Sequence, residues 1–175
     1  TALWQQQKEQ LLADVENTLR ALAQMGGGWR PDALELGFGR PGDACGPLPI
    51  TTQSGAIFLL RGVVDRVDVD AHGHRRVIDY KSGSEPIAAA DLLEGRRVQL
   101  PLYAQALEAL GRGPVVEGFY WHIRAGKRST LTLGGFEGGA QAAAAVAAEH
   151  AWRAISDVRA GKFTPIEQRD GCPPD

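Results

Sequence analysis

Apolar residues fall in short periodic patches rather than long runs. Trp4, Leu11, Leu12, Val15, Leu19 and Leu22 recur, with Lys8, at three- and four-residue steps, the spacing of one helix face. Gly26-Gly27-Gly28 ends that helix, because consecutive glycines have no helix propensity and accept positive φ. Ala33 to Phe38 reads as a short strand. Arg40 to Ser54, rich in Gly and Pro, reads as a loop. Ile57 to Asp70 is the strongest strand pattern, with Ile57, Leu59, Val63, Val67 and Val69 sharing the odd face with Asp65. Arg76 to Lys81 is a second strand, joined to the first through the turn Asp70-Ala71-His72-Gly73-His74. Ser82 to Arg97 is a polar connection with one helical turn. Gln99 to Leu110 is a helix in which Pro101 is tolerated only in the first turn. Val115 to Arg124 and Ser129 to Leu133 form a second hairpin. Ala140 to Ala160 is a long alanine-rich helix, and Gly161 to Asp175 an extended tail. This order predicts one α/β domain, a mixed or mostly antiparallel central sheet flanked by helices.

The length of 175 residues suffices for one domain with a sizeable core. With 43% apolar and 23% charged residues, the chain is neither disordered nor collagen-like. A net charge of -2 restricts any nucleic-acid contact to a local patch. Two cysteines, Cys45 and Cys172, are too few for a disulfide scaffold and fit a reducing compartment. No apolar run reaches the ~18 residues that would span a membrane, and no export leader is visible. The only methionine is Met25 and the chain opens on Thr1, so it is expected to be a piece of something longer.

Asp65 is out of place on an apolar strand face, where a carboxylate must be paired or bind a cation. The second strand repeats the oddity, since Asp79 and Lys81 share a face by the pleat alone. A three-residue loop Ala71-His72-Gly73, with Gly73 left-handed, sets a register in which Asp65 lies opposite Asp79, roughly 5 Å away. Two such carboxylates repel unless an oxygen-seeking divalent metal lies between them. Two aspartates and a lysine around magnesium or manganese suit attack of water on a phosphodiester. The alternative is an Asp–Lys ion pair on a sheet face with no metal, and spacing alone leaves both open.

Three blocks carry a resemblance: Arg61-Gly62-Val63-Val64-Asp65-Arg66-Val67-Asp68, then Val77-Ile78-Asp79-Tyr80-Lys81-Ser82-Gly83, then Gln99-Leu100-Pro101-Leu102-Tyr103. In this order they resemble the RecB-type nuclease domain of the PD-(D/E)XK superfamily, most closely the C-terminal nuclease domain of AddB-like helicase–nuclease subunits. The resemblance covers most of the chain, from about Glu35 onward. It implies a restriction-endonuclease-like fold spanning residues 1–175 and a magnesium- or manganese-dependent DNA exonuclease working in recombination and repair. It further implies DNA and a helicase–nuclease subunit as partners, no membrane, and the bacterial cytoplasm.

By position, the resemblance makes Asp65 and Asp79 metal ligands, completed by the backbone carbonyl of Tyr80, with Glu35 a further candidate ligand. Lys81 becomes the catalytic lysine. Gln99 and Tyr103 approach DNA, with Arg96, Arg97, Arg124 and Lys127 as further candidate contacts. Two departures matter. Many relatives carry a metal-binding histidine ahead of the acidic position, and the first 34 residues hold none. AddB-like domains often hold a [4Fe-4S] cluster through one upstream cysteine and three near the C-terminus. Here Cys172 looks like the start of that block and Cys45 is misplaced, so a cluster is expected only in an intact longer protein. Two other readings stay open: a nuclease fold that binds DNA or a partner without cutting, and a purely structural domain of a helicase complex.

Gly126-Lys127-Arg128-Ser129 is not a Walker A loop, because Trp121 occupies the position of its first glycine. Tyr120 and Trp121 are candidates for base stacking, although an alternating strand usually buries one of them.

Overall fold

The computed structural model describes residues 2–163. Cys172 and the tail beyond residue 163 lie outside them. Eleven elements follow in the described residues: α1 (Ala2–Gln24), β1 (Arg30–Phe38), β2 (Leu48–Thr51), β3 (Ile57–Leu60), β4 (Gly62–Val69), β5 (Arg75–Lys81), α2 (Ala89–Leu93), α3 (Gln99–Ala109), β6 (Val115–His122), β7 (Lys127–Thr132) and α4 (Gly139–Arg159). A five-stranded sheet runs β1-β4-β5-β6-β7, and β2 and β3 form a separate ribbon. Every neighbour in the large sheet is antiparallel except β5 and β6, which are parallel. The crossover between those two carries α2 and α3, so the mixed sheet flanked by helices is the fold expected.

The two sheet faces have separate cores. Val64, Val67, Val77, Tyr120, Leu131 and Leu133 pack with buried residues of α3 and α4. Alanines 140, 143, 144, 147 and 148 are the buried positions of α4, small enough to let that helix lie close. On the other face Ile78, Phe119 and Trp121 meet Ala21, Leu22 and Met25 around the end of α1. Tyr120 and Trp121 are thus both buried, on opposite faces, and neither is free to stack on a base.

Three expectations need correction. The apolar stripe of α1 is largely exposed, with Trp4, Leu11, Leu12, Val15 and Leu19 all outward. The helix is instead fastened by Thr18, whose hydroxyl accepts from the Trp121 indole N–H at 3.1 Å and meets the Ile123 carbonyl at 3.4 Å. The supposed loop from Arg40 to Ser54 contains strand β2, paired with β3. The supposed single strand from Ile57 breaks at Arg61, and before the break Phe58 is buried while Ile57 and Leu59 face out.

The β4–β5 hairpin has the expected turn. Asp70 N–H donates to the His74 carbonyl at 3.1 Å, and Gly73 takes φ 85° between them. The carboxylate of Asp70 accepts from the backbone N–H groups of His72 and His74 and lies 2.9 Å from His74 Nδ1, so these histidines belong to the turn.

Candidate active site

The hairpin register runs Val69↔Arg75, Asp68↔Arg76, Val67↔Val77 and Arg66↔Ile78, and there the ladder ends. The expected pairing of Asp65 with Asp79 is one step further and is not made. On the other side of β4 the pairs Leu34↔Arg66 and Leu36↔Val64 skip Glu35 and Asp65. Both ladders therefore open at Asp65. The cause is a change of phase in β4: Val64 and Val67, three apart, lie in the same core, which a regular strand forbids. Glu35 shows the matching distortion, the only positive φ of a non-glycine residue among those described, at 49°. Left-handed backbone at such a residue is costly and held only by its surroundings.

Freed from the ladder, Asp65 turns its carboxylate to Tyr80, whose backbone N–H donates to Oδ2 at 2.8 Å. The Tyr80 carbonyl lies beyond the last β4–β5 pair, so that ladder does not use it. Asp79 sits on the other side of this point in the chain. Its side chain is 2% exposed, and Lys81 Nζ lies 2.7 Å from its Oδ2. That contact is an ion pair outside hydrogen-bonding direction, so Asp79 Oδ2 is a buried oxygen without a hydrogen-bond partner. Burial raises the Asp79 pKa, Lys81 and Arg97 act against the rise, and the Asp65 charge adds to it. The two aspartates thus feel each other although they do not pair.

Lys81 Nζ also donates to Gln99 Oε1 at 3.3 Å, and Gln99 Nε2 donates to the Tyr103 hydroxyl at 3.1 Å. The four-residue spacing of Gln99 and Tyr103 puts them on one helix face because α3 begins at Gln99, with Pro101 in its first turn as required. Gly62 makes room for this pair: a Cβ there would meet Tyr103 Cε1 at 2.8 Å. Tyr120 fixes the start of the same helix, its hydroxyl accepting from Leu100 N–H at 3.3 Å and donating to the Arg97 carbonyl at 3.4 Å.

Glu35 joins Asp65, Arg66 and Tyr80 around a cavity of about 490 Å³. Among the described residues no three His, Cys, Asp or Glu side chains gather as a metal cluster, so Glu35 is not drawn together with both aspartates. The basic candidates separate. Arg97 lies near Asp79, acting on its pKa. Arg96 is held by Asp91 at 2.7 Å and by Glu94. Arg124 borders a different cavity, with Gln7, Gln10 and Asp14 of α1. Lys127 is exposed and pairs across the sheet from His122.

Behind the site, fully buried Asp68 accepts from Arg66 Nε at 2.6 Å and from Arg76 Nη2 at 2.5 Å. Arg76 in turn stacks over Trp29 and Phe119. Sequence reading passes over this triad, although the register that places Asp68 opposite Arg76 was the signal for it.

Residues 1–174 match the PD-(D/E)XK nuclease superfamily. The chain belongs to that superfamily. It is also similar to proteins named as subunits of an ATP-dependent helicase/deoxyribonuclease. With the one from Symbiobacterium thermophilum it shares 38% identity over 96 residues, 53% of this chain and 8% of the relative. With the one from Listeria monocytogenes it shares 40% over 78 residues, 43% of this chain and 7% of the relative. With the one from Acetivibrio thermocellus it shares 36% over 97 residues, 51% of this chain and 8% of the relative. The matched stretch is thus a small part of each relative's length.

Proposed function

We propose that this PD-(D/E)XK domain is a metal-dependent deoxyribonuclease that hydrolyses phosphodiester bonds as an exonuclease in recombination and repair. The observation that carries the reading is the buried, hydrogen-bond-free Asp79 Oδ2 beside Lys81, with the Asp65 carboxylate and the Tyr80 backbone close by. Two carboxylates and a carbonyl are an all-oxygen donor set, which fits magnesium or manganese. Asp65, Asp79 and the Tyr80 carbonyl would hold the ion, and Glu35, which lines one cavity with Asp65, is a further candidate. When bound, the ion supplies a water of lowered pKa and neutralises charge on the phosphate.

This chain's own groups do the rest. Lys81, 28% exposed, presents its ammonium to solvent from a buried anchor and can donate to a phosphate oxygen as negative charge builds there. Gln99 accepts from that ammonium and limits its rotation, while Tyr103 limits Gln99. In the overall step a water oxygen bonds to phosphorus, the bond to the leaving sugar oxygen breaks, and that oxygen takes up a proton. The relatives are named as helicase/deoxyribonuclease subunits, which supports DNA and a helicase–nuclease subunit as partners.

The test is cutting of linear and single-stranded DNA with magnesium or manganese, with metal titration by calorimetry. The wild type should cut and Asp79→Ala should not. Equal cutting by both overturns the mechanism. A second reading, DNA binding without cutting, is favoured by the Lys81 ion pair at 2.7 Å, which can neutralise Asp79 without a metal. Tight binding to DNA in calcium, with no cutting in magnesium or manganese, would select it.

A further inference from the structure

A second cavity, of about 440 Å³, opens at the end of β5 and is lined by Lys81, Ser82, Gly83, Ser84, Arg97 and His122, among others. Its floor is built. His122 is only 4% exposed and lies beside Lys81 on the parallel strand β6. His122 Nδ1 is 3.0 Å from the Gly83 carbonyl, which can only accept, so Nδ1 carries the proton. The ring therefore pins the segment that follows the catalytic lysine. The far end of that segment is pinned too, since the Ile87 carbonyl accepts from Leu131 N–H and from the Thr130 hydroxyl, both at 3.0 Å.

Between these anchors the donors are idle. Among the described residues, none of the backbone N–H groups of residues 82–85 donates a hydrogen bond within the protein, and the hydroxyls of Ser82 and Ser84 have no partner. Among the described residues the guanidinium of Arg97 has one ion pair, a loose one at 3.6 Å to Glu85, which is 86% exposed. Such a pair contributes little and yields readily to a stronger anion. An open concavity held at both ends, with free amides, two hydroxyls and a replaceable arginine partner, is suited to a phosphate.

We propose that this cavity is a phosphate subsite that receives the DNA backbone phosphate next to the one being cleaved. Arg97 supplies the charge and residues 82–85, which line the cavity, the hydrogen-bond donors. His122 is a positioning residue that acts through the Gly83 carbonyl. The identity of the ligand as DNA rests on the nuclease reading, whereas the existence of a nucleotide-phosphate site does not.

The test is an amide-resolved NMR titration with thymidine 3′,5′-bisphosphate in the absence of divalent metal. Saturable shifts are expected at the amides of residues 82–85. Arg97→Gln should weaken binding about tenfold. His122→Ala should weaken it as well. His122→Asn should restore most of it, because the asparagine amide can still donate to Gly83. Absent or non-saturable shifts at these amides, or affinity indifferent to Arg97→Gln, overturn the subsite. Inorganic phosphate binding as tightly as the bisphosphate reduces the site to a general anion pocket and also overturns it. In calcium, the salt dependence of single-stranded oligonucleotide binding should lose about 0.7 in log–log slope with Arg97→Gln. An unchanged slope overturns the DNA assignment. Bisphosphate binding by a wild type that cuts no DNA would leave a nucleotide-phosphate site standing, and sink the nuclease reading together with the assignment of that phosphate as the neighbour of a cleaved one.

Discussion

Lys81 Nζ stands 2.7 Å from Asp79 Oδ2, yet that oxygen accepts no hydrogen bond. The carboxylate is buried and the lysine half-exposed, so the pair holds an under-satisfied anion close to solvent. A fold optimised for stability alone would avoid this arrangement.

Asp79→Asn should therefore stabilise the fold while abolishing cutting. The folded Asp79 has a raised pKa, so the folded state binds its proton more tightly than the unfolded chain does. Wild-type stability is consequently lost as pH climbs from the unfolded value of 3.8 through the folded one. At pH 7 the variant should be about 1 kcal/mol more stable by urea denaturation, and the gain should vanish near pH 3.

Lys81→Ala should separate binding from rate. Its loss removes a donor to the phosphate and should lower cutting by about 100-fold or more. Calorimetry should show magnesium affinity kept or raised, because one positive charge leaves the vicinity of Asp79.

Asp68→Asn should be far more damaging to the fold than its distance from the chemistry suggests. Arg66 and Arg76 would lose the carboxylate that neutralises them in the interior. The expected cost is about 3–5 kcal/mol, read as a drop in chemical-denaturation stability.

Glu35→Gly should raise stability slightly. Left-handed backbone costs an L-residue about 1–2 kcal/mol, and glycine returns part of that through its greater unfolded-state entropy. A net gain of about 0.5 kcal/mol in thermal or urea unfolding is expected, with lower activity if the carboxylate serves the site.

Period-two and helical spacing were enough to place Lys81 with Asp79, to put Gln99 and Tyr103 on one helix face, and to set the hairpin register through Gly73. These are local properties: the pleat, the helical repeat and the turn each span a few residues. What spacing cannot express is a break in itself. The phase change at Asp65, the left-handed Glu35 and the split at Arg61 depend on how β1 and β5 pair with β4 and on β3 joining β2 in a separate ribbon, so only the assembled sheets show them. The same holds for His122. Its ring is 41 residues from Lys81 in sequence, beside it only because β5 and β6 run parallel, and without a role until the Gly83 carbonyl is there to meet it. Sequence nominated Asp65, Asp79 and Lys81 as the side chains proposed to bear the chemistry. Tertiary structure decided that Asp65 faces the Tyr80 amide rather than Asp79, because a half-buried carboxylate there takes a backbone N–H as its partner where the ladder stops.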